Sequence, residues 1–220
     1  MHILLTDITT CPRCGPGFGL ILMVEDISER RVQTGWLGCA NCRERYRIAA
    51  GIADLRTGAA DSAPAADPAP ARSADGPAAP AKASSELDAA RLAALMGVAE
   101  GPAYLLLVGP VTRFAADLAD LLTDVHVIAV DRDAVPAPPH PDVTRVQVTR
   151  ALPFHSGRLH GAVLSGAAAT ELLAEAARVL RPSARLVLID GTAGAAERLA
   201  HAGLSVAATG AGVAVAVRRQ

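Results

Sequence analysis

The sequence predicts an α/β protein: a doubly wound, mainly parallel sheet preceded by a small β-rich unit built around cysteines. Three observations predict it. All four cysteines fall early, as two CxxC pairs, Cys11-Pro-Arg-Cys14 and Cys39-Ala-Asn-Cys42. A stretch whose only apolar side chains are Ala and Pro follows, over residues 57–85. Beyond it, short continuous apolar runs alternate with Ala-rich helical segments, the pattern of a parallel sheet clothed by helices.

The cysteine spacing has a direct geometric meaning. A turn with two intervening residues aims both sulfurs at one point, and two such turns facing each other make a tetrahedral sulfur cage. Gly15, Gly17 and Gly38 flank the turns, where the backbone must bend sharply. Four soft thiolates suit zinc, with iron as the alternative metal and disulfide chemistry as the competing use of the thiols. Four protein ligands leave no open coordination position, so the expected role of the metal at Cys11, Cys14, Cys39 and Cys42 is structural.

Composition narrows the function classes. The chain has 220 residues, 51% of them hydrophobic, with a formal charge of −1. That balance lacks the electrostatic footprint of a general nucleic-acid binder. Phe, Tyr and Trp number only six, too few for a base-stacking platform. No apolar run has the length a bilayer needs, and the N-terminus lacks a basic stretch followed by an apolar one. The expectation is a soluble, cytoplasmic protein with no membrane partner.

The expected organisation is a unit over residues 1–56, a mobile tether over 57–85 and an α/β domain over 86–220. In the last, residues 86–98 read as a helix with Ser84 or Ser85 as cap and Gly97 near its end. Tyr104–Val108 reads as a strand buried on both faces, Arg113–Leu122 as a helix and Val125–Val130 as a strand ending at Asp131. Val143–Val148, Gly161–Ser165 and Arg185–Ile189 read as further strands, with helices over Thr170–Leu180 and Ala193–Ala202. Leu204–Ala208 and Val213–Val217 close the chain as an antiparallel pair turning at Thr209-Gly210-Ala211-Gly212. In such a sheet the ligand crevice lies at the C-terminal ends of the first two strands.

Two family resemblances sharpen these expectations. After Cys42 the chain reads Arg43-Glu44-Arg45-Tyr46-Arg47-Ile48-Ala49-Ala50-Gly51-Ile52-Ala53-Asp54-Leu55. Its Tyr46, Ile48, Gly51, Ile52 and Leu55 resemble the closing pattern of the small zinc-ribbon activator subunits of tRNA, rRNA and release-factor methyltransferases; Arg47 and Ala53 replace that pattern's prolines. This resemblance covers residues 1–56 and implies zinc, with another methyltransferase or a translation-related protein as partner.

Residues 86–220 resemble the class I S-adenosylmethionine-dependent methyltransferases. The match is carried by Leu152-Pro153-Phe154 and by Arg178-Val179-Leu180-Arg181-Pro182 running into the strand at Arg185, with Ser183-Ala184 where the family has two glycines. The resemblance implies S-adenosylmethionine as cofactor, met by Gly109, Asp131, Leu152 and Phe154. The chain departs from the pattern at several anchors. Leu107 replaces the acid ending strand one, Val111 and Arg113 replace the second and third loop glycines, and Val148 lies where an acid for the adenine is usual. A β-branched residue at a positive-φ position is strained by about 1–3 kcal/mol, so the loop is expected to take another shape.

These residues support three functions. The first is a non-catalytic adaptor or activator with a degenerate methyltransferase-like domain, a pseudoenzyme. The second is an active methyltransferase with a divergent loop, with His155 and His160 as candidate bases near the crevice mouth. The third is a nucleic-acid-binding ribbon using Arg43, Arg45 and Arg47 beside Tyr46 and Trp36.

Overall fold

The structure is a computed structural model describing residues 1–57, 87–131, 138–189 and 194–219. The expected tether, from residue 58 onward, lies outside the described residues, as do Ser84 and Ser85. The first part contains a 3-10 turn at Ile3–Ile8 and strands β1 (Thr10–Cys11), β2 (Gly15–Gly19), β3 (Ile21–Ser28), β4 (Arg31–Gly38), β5 (Arg45–Ala49) and β6 (Ile52–Asp54). The second contains α1 (Ala89–Met96), β7 (Glu100–Val108), a 3-10 turn (Gly109–Phe114), α2 (Ala115–Leu121), β8 (Thr123–Asp131) and β9 (Val143–Gln147). It continues with β10 (Leu159–Ser165), α3 (Ala167–Val179), β11 (Leu180–Ile189), α4 (Ala195–His201), β12 (Leu204–Gly210) and β13 (Val213–Arg218).

Eleven of these strands form one sheet in the order β12-β13-β11-β10-β7-β8-β9-β6-β5-β4-β3, and β1 pairs separately with β2. The central strands β11, β10, β7, β8 and β9 run parallel, and β13 is antiparallel to both its neighbours. The sequence explains the parallel core. Leu105-Leu106-Leu107-Val108 and Val127-Ile128-Ala129-Val130 are apolar without alternation because both faces are covered. Leu105, Leu107, Val127 and Ala129 share a cluster with α1 and α2; Leu106, Val108, Ile128 and Val130 belong to the cluster on the other face, which contains residues of α3, α4 and the cysteine-rich part. The sheet is therefore doubly wound, as expected.

Local chemistry sets the element ends. Helix α1 starts later than the sequence suggests, because Asp88 is its cap: the carboxylate accepts from the Arg91 amide at 2.7 Å. It stops where Gly97 takes φ 69°. The segment read as one helix from Arg113 is a 3-10 turn followed by α2, so helical hydrogen bonding of the α type begins only at Ala115. Ser183, within β11, adopts φ 67°, a left-handed conformation taken here without glycine.

The cysteine-rich part is continuous with this sheet. Strand β6 pairs in parallel with β9, Ala53 against Val146 and Asp54 against Gln147, and the Leu55 amide donates to the Gln147 carbonyl at 2.9 Å. A second seam crosses the sheet face. Thr9 bridges Phe154, the Thr10 amide donates to the Pro153 carbonyl at 2.7 Å, and the His155 amide donates to the Ile8 carbonyl at 2.9 Å. Met1, Leu5 and Ile8 share one buried cluster with Val146, Leu152 and Phe154. Arg178 locks this seam from below, donating to the carbonyls of Leu152 and Phe154, each at 2.8 Å, while paired with Glu175. Arg31 ties β4 across in the same way, donating to the Pro141 carbonyl at 2.9 Å and the Val143 carbonyl at 2.8 Å.

Two outcomes follow from the shared core. Phe154→Ala should cost about 3–5 kcal/mol, read in denaturant unfolding as one cooperative transition, because the buried cluster around Phe154 is shared by both parts. The second concerns His126 on β8, whose ring Nε2 shares a hydrogen bond with the Thr144 hydroxyl at 2.9 Å and lies 5.0 Å from the His2 ring. Burial first, then the positive neighbours His2, Arg31, the Met1 amino group and His140, lower its pKa from 6.5 to about 3. The folded chain thus keeps His126 neutral while the unfolded chain protonates it below pH 6.5. Stability contributed by this site is complete above that pH and falls as pH drops toward 3, by up to about 1.4 kcal/mol per pH unit. Melting curves at stepped pH should show this slope in the parent and a shallower one in His126→Gln.

Candidate metal centre and cofactor crevice

Two turns bring the four cysteines together. Cys11 ends β1 and Cys14 lies in the turn before β2; Cys39 follows β4 and Cys42 lies in the turn before β5. Backbone bonds shape the second turn: the Cys39 amide donates to the Glu44 carbonyl and the Arg43 amide to the Cys39 carbonyl, both at 2.9 Å. All four sulfurs lie within 4.8 Å of one another and none is in a disulfide. Cys11 and Cys42 are 3.7 Å apart, and Cys14 and Cys39 are 3.8 Å apart. A zinc ion with Zn–S bonds of about 2.3 Å requires tetrahedral edges of about 3.8 Å, so the cage could hold zinc with little adjustment.

Surrounding donors suit charged sulfurs. The Tyr46 hydroxyl lies 3.4 Å from the Cys11 sulfur, and the Asn41 side-chain amide donates to Cys14 at 3.2 Å. Burial, then the contact with Cys11, pushes the Tyr46 phenol up, so it stays a donor. Such outer contacts orient thiolate ligands. Tyr46, which the sequence offered as a stacking ring, is buried beside the cage instead.

The second candidate site is the crevice at the C-terminal ends of β7 and β8. Gly109 turns the chain there with φ 81°, and a β-carbon on it would lie 2.3 Å from the Ser165 carbonyl oxygen. The loop then enters its 3-10 turn. Val111 is buried, and its amide donates to the Ser165 hydroxyl at 2.9 Å, which in turn contacts the Val108 carbonyl. Arg113 points outward over the Phe114 ring at 4.6 Å, away from the loop interior.

Asp131 stands at the end of β8 as expected, and neighbours engage both its oxygens. The Thr112 hydroxyl donates to one at 3.0 Å, and Arg145 on β9 lies 3.4 Å from the other. Leu152 and Phe154 are fully buried against the cysteine-rich part. The sequence reading missed Thr112, Arg145 and Ser165, because their roles arise from β8–β9 pairing and from the approach of β10 to the loop. The histidines lie elsewhere. His160 accepts from the Tyr104 amide near the start of β10, the end away from the crevice, and His155 contacts the Pro16 carbonyl. Arg45 and Arg47 do share the exposed face of β5, with Arg47 6.0 Å from the Trp36 ring.

Comparison with known proteins yields likenesses among solved structures alone. No family model matches the chain, and no curated protein matches it. One similar structure is the complex between the Haloferax volcanii Trm112 methyltransferase activator and a protein described as a methyltransferase. It is 16% identical over 60% of this chain and 89% of that one, with a TM-score of 0.48. Geranyl diphosphate methyltransferase in complex with SAM is 14% identical over 59% and 84%, with a TM-score of 0.46. The antibiotic-resistance methyltransferase Kmr is 18% identical over 61% and 94%, with a TM-score of 0.40. The strand order and the cysteine cluster themselves establish the fold: a doubly wound sheet with a parallel core, preceded by a small β-rich ribbon-like region.

Proposed function

We propose that this chain is a non-catalytic zinc-ribbon protein whose methyltransferase-like domain serves as a scaffold, acting as an adaptor or activator in a methyltransferase system. One observation carries the reading: Asp131, the acid placed to meet a cofactor ribose, is closed by Thr112 on one side and Arg145 on the other. Freeing it would strip partners from a carboxylate that is largely buried, at a cost of about 1–3 kcal/mol or more. The buried Val111 and the Ser165 clasp add a packed loop where the family's glycines leave room for a cofactor. The residues present therefore do not fit S-adenosylmethionine, and Gly109, Asp131, Leu152 and Phe154 act here as structural groups. In this reading a partner methyltransferase meets a surface other than β6, whose outer edge is already paired with β9.

Calorimetry on the metal-loaded chain tests the cofactor reading. Neither S-adenosylmethionine nor S-adenosylhomocysteine should bind up to millimolar concentration, in the parent or in Asp131→Ala. Micromolar binding that Asp131→Ala abolishes would overturn the reading in favour of an active methyltransferase.

The cage has its own test. Elemental analysis should find one zinc, and no iron, per chain, and Cys11→Ser should lose it. Because ribbon and sheet share a core, metal loss should destabilise the whole chain. A contribution of even ~3 kcal/mol would lower the melting midpoint by about 6–12 °C at this chain length. An unchanged midpoint after full chelation would rule out a structural metal.

A further inference from the structure

The buried hydroxyl of Tyr46 has a sulfur for its partner. Tyr46 is 2% exposed on β5, between Arg45 and Arg47, which face solvent, and its oxygen lies 3.4 Å from the Cys11 sulfur. Among the described residues the hydroxyl makes no other hydrogen bond. A buried hydroxyl ordinarily finds an oxygen or nitrogen acceptor, because an unmet polar group costs about 1–3 kcal/mol. A neutral thiol is a weak acceptor, so this contact does little for the chain while Cys11 keeps its proton. Coordination to a metal removes that proton. The same contact then becomes a charge-assisted hydrogen bond, roughly twice as strong as a neutral one.

Cys11 is the ligand that most needs such a donor. It is fully buried, so water cannot solvate its charge, and its other donor is the Cys14 amide at 3.4 Å. Cys14 and Cys42 stand partly exposed at the rim of the cage. There the Asn41 side-chain amide donates to Cys14 at 3.2 Å, a shorter contact than Tyr46 makes. Distance alone would rank Asn41 above Tyr46. Burial reverses the order. Asn41 is exposed, so water takes its place when it is removed, and the bond counts for little in a high dielectric. Four thiolates around a divalent ion leave a surplus of negative charge. The nearby cations Arg13, Arg43 and Arg45 are all exposed, and the buried Cys11 receives its side-chain donor from Tyr46.

We propose that the Tyr46 hydroxyl is a positioning group of the metal centre: it holds the Cys11 thiolate and sets how tightly the cage keeps its metal, while Asn41 is dispensable. This inference rests on the cage holding zinc and extends that reading to a residue outside the ligand set. Tyr46 thereby reaches the seam as well. Cys11 directly follows Thr9 and Thr10, which meet Phe154 and Pro153, so the bond from β5 anchors the end of the segment that joins the two parts.

Competition between the full chain and a chromophoric chelator measures the zinc affinity. Tyr46→Phe keeps the ring, deletes the hydroxyl and should weaken zinc binding about 10–100-fold, the usual cost of a lost outer partner. Asn41→Ala should change it by less than about threefold, as expected of a solvated contact. Cobalt(II) loading adds a spectroscopic signature: in Tyr46→Phe the sulfur-to-cobalt charge-transfer band should move to longer wavelength, because an unbonded thiolate gives up an electron more readily. Ile48→Ala, on the same buried face of β5, should lower the melting midpoint and leave the band in place. Parent-like affinity in Tyr46→Phe overturns the proposal, and so does an equal loss in Asn41→Ala. A weakened Tyr46→Phe whose band stays put, or a band that Ile48→Ala moves equally, reduces Tyr46 to packing and overturns it too. A parent chain that takes up neither zinc nor cobalt overturns the cage reading itself, and this inference with it.

Discussion

The short parallel ladder between β6 and β9 is the contact on which the rest of this structure depends. It spans only two residue pairs, Ala53 with Val146 and Asp54 with Gln147, yet it places the cysteine-rich ribbon at the edge of the α/β sheet. A ladder this small contributes little on its own. Its effect is to fix the register that lets Met1, Leu5 and Ile8 cover the sheet face above Val146, Leu152 and Phe154. Burying those side chains removes apolar surface from water at about 25 cal/mol per Å², which outweighs the hydrogen bonds of the seam itself. The cage matters for the same reason: it holds the turns from which the ribbon's strands spring.

This arrangement gives the Leu152-Pro153-Phe154 segment and Gly109 packing roles. Leu152-Pro153-Phe154 would ordinarily be read as bordering a cofactor. Here its carbonyls are held by Arg178 and by the Thr10 amide, and its rings and methyls form the floor under the ribbon. The Arg178 side chain thus clamps the Leu-Pro-Phe segment. Gly109 tells a similar story. Its φ of 81° and the 2.3 Å approach of a β-carbon to the Ser165 carbonyl oxygen demand glycine for packing alone. The loop after Gly109 is packed, with Val111 inside and Asp131 satisfied by Thr112 and Arg145.

The parts legible in the sequence are those governed by local pattern. Continuous apolar runs marked β7, β8, β10 and β11 because strands buried on both faces have no polar side to alternate with. Paired CxxC turns marked the cage because two-residue spacing fixes where the sulfurs point. Helix starts were less legible. Asp88 displaced the expected serine caps, and the Gly109–Phe114 turn replaced the first turn of a helix, since capping depends on which side chain actually reaches a free amide. His160 was read at the crevice mouth but lies at the far end of its strand, a matter of strand direction that composition does not carry.

The sequence by itself therefore determined the α/β class, the strand and helix succession of the second part and the meeting of the four cysteines, each through interactions spanning a few residues. Only the tertiary structure decided that the ribbon joins the sheet, that Arg145 and Thr112 close on Asp131, and that Phe154 faces the ribbon. Those outcomes bring together residues far apart in the chain, Phe154 against Thr9 and Asp54 against Gln147. No local propensity encodes them, because they follow from which two surfaces bury the most apolar area when the whole chain folds.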